Sequence, residues 1–123
     1  MPLIAKNLDT GAIVASKVEV AATREARRTG LLTRSGLGPG EALWIVPCRG
    51  VHTIGMKFTI DIVALDEGGR VIDRVSSLAP WRIRLPRRGT AGVLELAAGA
   101  LETSGTQVGH RIEFEEKKGD HRK

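Results

Sequence analysis

Residues 60 to 78 read as two strands joined by Glu67-Gly68-Gly69. The first, Ile60 to Asp66, is apolar on both alternating faces except at Asp61. A strand of that kind must be central and buried. The second, Arg70 to Leu78, returns after a glycine-rich loop short enough for a hairpin. This buried hairpin constrains the chain to a sheet-based fold.

The rest of the sequence adds to that sheet. Ala12 to Val20 alternates partially and reads as a strand. Ala42 to Val46 is a short apolar strand, and Gly92 to Ala97 and Arg111 to Glu116 read as the last two. Between the first two lies Ala22 to Gly36, where Thr23 is suited to cap a helix and Glu25 favours its first turn. The expected helix runs from Arg24 to Thr33, weakened by Gly30 and docked through Leu31 and Leu32. Trp81 to Leu85 alternates, with Trp81, Ile83 and Leu85 on one face and Arg82 and Arg84 on the other. The expected class is α+β and mostly β: a small curved antiparallel sheet or barrel-like domain with one short helix near the N-terminus. With 123 residues and 3% aromatics, the core must be aliphatic. A single domain is expected over residues 1–116, with no repeat or linker.

Charge does not by itself point to nucleic acid. The net charge is +5, of which residues 117–123 supply +3. That short end has no apolar residue and is expected to be a disordered, solvated tail. Four arginines, Arg82, Arg84, Arg87 and Arg88, fall within seven residues. They read as a solvated strand face, or as a footprint for an anionic ligand or an acidic protein partner. Sequence-specific nucleic-acid reading is disfavoured, because two Phe and two Trp offer few stacking platforms. The first thirty residues hold no apolar run fit for a signal peptide or a membrane span. With one cysteine and hence no internal disulfide, a cytoplasmic location and no membrane partner are expected.

Three residues spaced by four, Cys48, His52 and Met56, pose the main chemical question. Four extended residues span about 13 Å at roughly 3.3 Å each. A thiol and its base need about 3 to 3.5 Å, and metal ligands lie near 2.0 to 2.3 Å from one ion. Only a reversal at Arg49-Gly50 would reconcile these distances. The expected roles are therefore Cys48 as a small buried hydrophobe, Met56 as core filler and His52 at a sheet edge or barrel mouth. With a reversal, Cys48, His52 and Met56 become a soft copper(I) set. Asp61 needs donors from basic side chains or turn N–H groups, and reads as a buried anchor or as a site residue beside His52. Glu95, flanked by Leu94 and Leu96 but pointing the other way, raises the same choice. Gly36 to Gly40 is a turn and a poor phosphate loop, since Pro39 has no N–H and no Lys-Ser/Thr follows. No C-x-x-C, H-E-x-x-H, G-x-S-x-G or Walker pattern is present, and no cofactor is expected.

Gly30 to Leu37, Gly55 to Ile72 and Val93 to Gly99 follow one another in an order and spacing that resemble domain-of-unknown-function family 192, also called uncharacterised protein family 0127. The resemblance rests chiefly on Met56-Lys57, Ile60-Asp61-Ile62 with its hairpin, Leu94-Glu95 and Gly99, and covers about Val20 to Phe114. It departs at Ile54-Gly55, where the family often has an aromatic pair, and at Gly109-His110, where Gly-Asp is common. The resemblance implies a compact, mostly β domain and no established activity. The functional expectation is a non-catalytic binding or accessory domain with its site near the sheet face or barrel mouth, drawn from His52, Lys57, Asp61, Trp81, Arg82, Arg84 and Glu95. A small enzyme or soft-metal protein using Cys48, His52 and Asp61 is the alternative.

Overall fold

The computed structural model describes residues 3–85 and 87–116; the expectation of a disordered tail over 117–123 lies outside them. In chain order the elements are β1 (Leu3–Asn7), β2 (Ile13–Ala21), α1 (Arg24–Thr29), β3 (Glu41–Ile45), β4 (Val51–His52), β5 (Ile60–Leu65), β6 (Val71–Leu78), β7 (Ile83–Arg84), β8 (Gly92–Ala97), α2 (Ala100–Ser104) and β9 (Ile112–Glu116). Seven strands form one sheet in the order β6-β5-β8-β3-β2-β1-β9, and β4 and β7 pair as a separate ribbon.

The expected all-antiparallel sheet is corrected at one place: β2 and β3 run parallel. Parallel neighbours cannot be joined by a hairpin and need a crossover. The segment carrying α1 is that crossover. The helix is also shorter than the expected Arg24 to Thr33, since it spans Arg24–Thr29. Gly30 adopts φ 48 and its N–H donates to the Ala26 carbonyl, which ends α1 at Thr29. Leu31, beyond the helix, is nonetheless 1% exposed and docks on the core. Two further elements, β1 and α2, were not expected from the sequence.

Both faces of the sheet are covered. Val63, Leu65, Leu94 and Leu96 belong to one aliphatic cluster, closed by Leu101 of α2 and Ile112 of β9. Ile60, Ile62, Ala64 and Val93 belong to another on the opposite face, with Leu31, Val51 and Met56 over it. The alternation along β5 and β8 divides each strand between the two clusters, which is why β5 is buried throughout.

The sheet is curled into a half-barrel. Trp44 on β3 and Phe114 on β9 are separated by two strands, yet their ring centroids lie 4.9 Å apart. In a flat sheet those strands would be about 14 Å apart at ~4.8 Å per step. At one end the curl brings the opposite edges together: Arg70 bridges Arg111, and the Ile112 N–H donates to the Gly69 carbonyl at 2.8 Å. Gly69 has φ +86, and a Cβ there would lie 2.5 Å from the Ile112 carbonyl oxygen. Only glycine allows this contact.

The β4–β7 ribbon lies over the second cluster. Thr53, fully buried, fixes it: its hydroxyl donates to the Ala79 carbonyl at 2.6 Å and accepts from the Arg82 N–H at 2.9 Å. Arg84 of β7 reaches Asp73 of β6 through two hydrogen bonds, Nε to Oδ2 at 2.9 Å and Nη2 to Oδ1 at 2.8 Å.

Candidate functional site

A cavity of about 200 Å³ opens between α1, β3, β8 and the ribbon. Its apolar wall comes from Leu31, Ile45, Val51 and Met56. Its polar side chains are Arg27, Arg28 and Thr29 of α1, Cys48, His52 and Glu95.

Glu95 is the unusual member. It is 4% exposed, and its Oε1 has no hydrogen-bond partner among the described residues. The sheet explains the isolation. The cross-strand neighbours of Glu95 are Leu43 on β3 and Ile62 on β5, both buried and neither able to donate. Burial alone pushes the carboxyl up to about 7, because removing the charged form from water disfavours it. Glu95 therefore changes charge near neutrality.

Cys48, His52 and Met56 line this same cavity. The extended path that would keep them apart is not present: β4 holds only Val51–His52. Cys48 lies before it in a tight bend, its thiol donating to the Gly50 carbonyl at 3.0 Å. The chain bends at Val46, Pro47 and Arg49 between β3 and β4. Lining one cavity does not make a nucleophile, however. Desolvation, then the nearby Glu95 charge, push the Cys48 thiol up from its ordinary value; the Gly50 hydrogen bond and Arg27 oppose this without prevailing. A thiol held protonated is a poor nucleophile and a poor metal ligand. No group of three or more His, Cys, Asp or Glu side chains among the described residues is arranged to hold a metal ion.

The other expected site residues lie elsewhere. Asp61 is fully buried on the opposite face of the sheet, with α2. Its Oδ1 accepts from Ser77 N–H at 2.9 Å, and its Oδ2 from Gly99 N–H at 3.1 Å and Leu101 N–H at 3.0 Å. Those donors occupy the carboxylate as an anchor for α2 and for the irregular β6 backbone, where Ser77 has φ 60. Lys57 is exposed and lines no part of the cavity. Arg84 is engaged by Asp73, whose carboxyl its hydrogen bonds hold below the usual range. Arg82 is exposed. Trp81, Ile83 and Leu85 are 65%, 64% and 73% exposed, so the apolar side of that alternating stretch faces outward.

Arg27 and Arg28 are cavity residues that the sequence reading missed. Their signal was weak: two basic residues in the last turn of a short helix also suit the helix dipole. Glu95 was singled out, but nothing in its spacing linked it to Cys48, His52 and Met56.

The model of the family DUF192, described as "Uncharacterized ACR, COG1430", matches residues 5–114. A UPF0127 protein of Pyrococcus abyssi is 33% identical over 104 residues, covering 80% of this chain and 86% of its own. A UPF0127 protein of Thermococcus sibiricus is 25% identical, covering 89% of this chain and 73% of its own. Among solved structures, a Sinorhizobium meliloti protein provisionally labelled a transcription regulator aligns with TM-score 0.79, 21% identity and 91% coverage of both chains. A protein of unknown function from Novosphingobium aromaticivorans aligns with TM-score 0.77 and 23% identity, covering 92% of this chain and 84% of its own. At these identities the two structures bear on the fold alone. No helix among the described residues is long and apolar enough to cross a membrane.

Proposed function

Because the chain belongs to DUF192, a family whose description assigns no activity, we propose a function from its own geometry: a non-catalytic binding domain whose site is the cavity over Glu95. One observation carries this reading. Glu95 lines an open cavity, and one oxygen of its carboxyl has no hydrogen-bond partner among the described residues, although native folds pair nearly all such groups. A bound group that donates a hydrogen bond would satisfy it. Leu31, Ile45, Val51 and Met56 give the cavity an apolar wall beside its polar groups, a combination common in ligand sites.

Catalysis by Cys48 is the weaker reading. The thiol donates to a backbone carbonyl, and its environment raises its pKa. Asp61, the acid of that alternative, is occupied by three backbone N–H groups on the far face.

The test is a ¹H–¹⁵N correlation spectrum recorded with a set of small polar fragments. Binding at the cavity shifts the amides of Thr29 to Leu32, Cys48 to His52 and Glu95 together. Shifts confined to other surfaces, or no shifts with any fragment, would remove this reading.

A further inference from the structure

The charges around the cavity specify a ligand more narrowly than its shape does. Glu95 lies at its buried wall and Arg28 at an exposed part of its lining, with Arg27 half-buried beside it. Arg27 is partly committed, since its Nη1 donates to the Ala22 carbonyl at 2.9 Å. Arg28 has no ion pair among the described residues. A purely anionic ligand would be drawn by the arginines but would bring its charge to a carboxylate. A purely cationic ligand would suit Glu95 but meet two like charges on entry. A molecule with both charges satisfies both ends. Size limits it further: about 200 Å³ is the room of roughly seven waters at ~30 Å³ each, below the range usual for drug-sized ligands.

We propose that the cavity takes a small zwitterion of amino-acid size, with its ammonium on the Glu95 carboxyl and its acid group turned to Arg28 and Arg27. The proposal rests on the cavity being the binding site. The ammonium supplies a donor to a carboxyl that has an unpaired oxygen among the described residues. Charged hydrogen bonds of this kind are the strong ones in a water-poor setting. Leu31, Val51 and Met56 pack on the aliphatic part between the two charged ends.

Three probes separate the two ends: γ-aminobutyrate, butylamine and butyrate, titrated at pH 8 and followed at the Leu31, Cys48 and Glu95 amides. γ-Aminobutyrate is expected to bind more tightly than either single-charge probe. Glu95→Gln should weaken it by about tenfold or more, the loss of one charge-assisted hydrogen bond. Arg28→Ala should weaken γ-aminobutyrate while leaving butylamine no weaker. A readout that needs no variant comes from calorimetry near pH 6 in buffers of different ionisation heat. There the carboxyl is largely protonated before binding, so seating an ammonium releases a proton. Butyrate binding in the cavity as tightly as γ-aminobutyrate, with Glu95→Gln neutral and no proton released, would overturn the ligand class and leave the binding site standing. Silence from all three probes where other fragments do shift the cavity amides would have the same meaning. Silence from every fragment would overturn both.

Discussion

Asp61 and Leu101, forty residues apart in the chain, are joined by a 3.0 Å hydrogen bond from the Leu101 N–H to Asp61 Oδ2. The same oxygen accepts from Gly99, so a carboxylate on β5 caps a helix that has no capping side chain of its own. A helix of five residues leaves most of its first N–H groups without intrahelical partners. Asp61→Ala would strand three N–H groups, including Ser77's. The expected cost is ~3–5 kcal/mol, typical of breaking a buried polar network. Urea unfolding measures it; a cost near ~0.5 kcal/mol would mean that water replaces the carboxylate. Asp61→Asn should fall between, because its amide would place N–H groups against some of those donors.

Asp73 and Arg84 make a two-bond pair that ties the ribbon to β6. Arg84 is 36% exposed at its side chain, and Arg87 stands 3.7 Å away as a weaker second partner. Solvent therefore screens the pair. Asp73→Asn is expected to destabilise by about 1–2 kcal/mol. The pH direction follows from the lowered Asp73 pKa. The stabilisation is present above the unfolded carboxyl value of 3.8 and is lost as pH falls through the lower folded one. Acid titration of the wild type and of Asp73→Asn should thus converge at low pH. A gap that persists in acid would assign the effect to packing.

The contrast between these two acids explains what the sequence made legible. The β5–β6 hairpin, β8 and the aliphatic core follow from short apolar runs and a glycine-rich turn, which are local properties of the chain. Asp61 stood out because a charge between Ile60 and Ile62 must find donors, and three backbone N–H groups supply them. The donors themselves, Gly99 and Leu101, were not legible, because α2 is too short to leave a periodic signature. β1 was missed for a similar reason: its five residues, Leu3 to Asn7, include two polar ones and carry little alternation. The parallel β2–β3 pair depends on which way the chain crosses after α1, which no local pattern encodes. The cavity was half legible. Cys48, His52, Met56 and Glu95 were each named, but their sharing one cavity depends on the bends between β3 and β4 and on β8 lying between β3 and β5.

Cys48 offers a test of that arrangement. Its thiol is raised first by burial and next by the Glu95 charge. Iodoacetamide should therefore label it more slowly at pH 8 than it labels an exposed thiol. Glu95→Gln removes the second cause, so the variant should label faster than wild type above pH 7, where the carboxylate is charged. Equal rates throughout would show that the two groups do not sense each other. Cys48→Ser should cost at most ~1–3 kcal/mol, the upper end applying only if the hydroxyl fails to keep the hydrogen bond to the Gly50 carbonyl, and should leave metal content unchanged.

The last prediction concerns stability and pH, and its sign differs from that of Asp73. The folded pKa of Glu95 is about 7, raised from 4.5. Below about pH 4.5 the carboxyl is protonated both folded and unfolded, and stabilisation from the neutral form is complete. Between 4.5 and 7 the unfolded chain loses a proton that the fold retains, so stability falls. Above 7 the fold carries the buried charge and the loss levels off. At about 1.4 kcal/mol per pH unit, the Glu95 contribution to the decline is ~3 kcal/mol across that window. Glu95→Gln cannot ionise, so its stability relative to wild type should grow by about that amount from pH 4.5 to pH 8, whatever fixed cost its unpaired amide carries. Urea unfolding of both proteins at several pH values gives the difference directly. A difference constant with pH would show that the carboxyl is not desolvated in the fold, and would remove the reason for expecting a donor in the cavity.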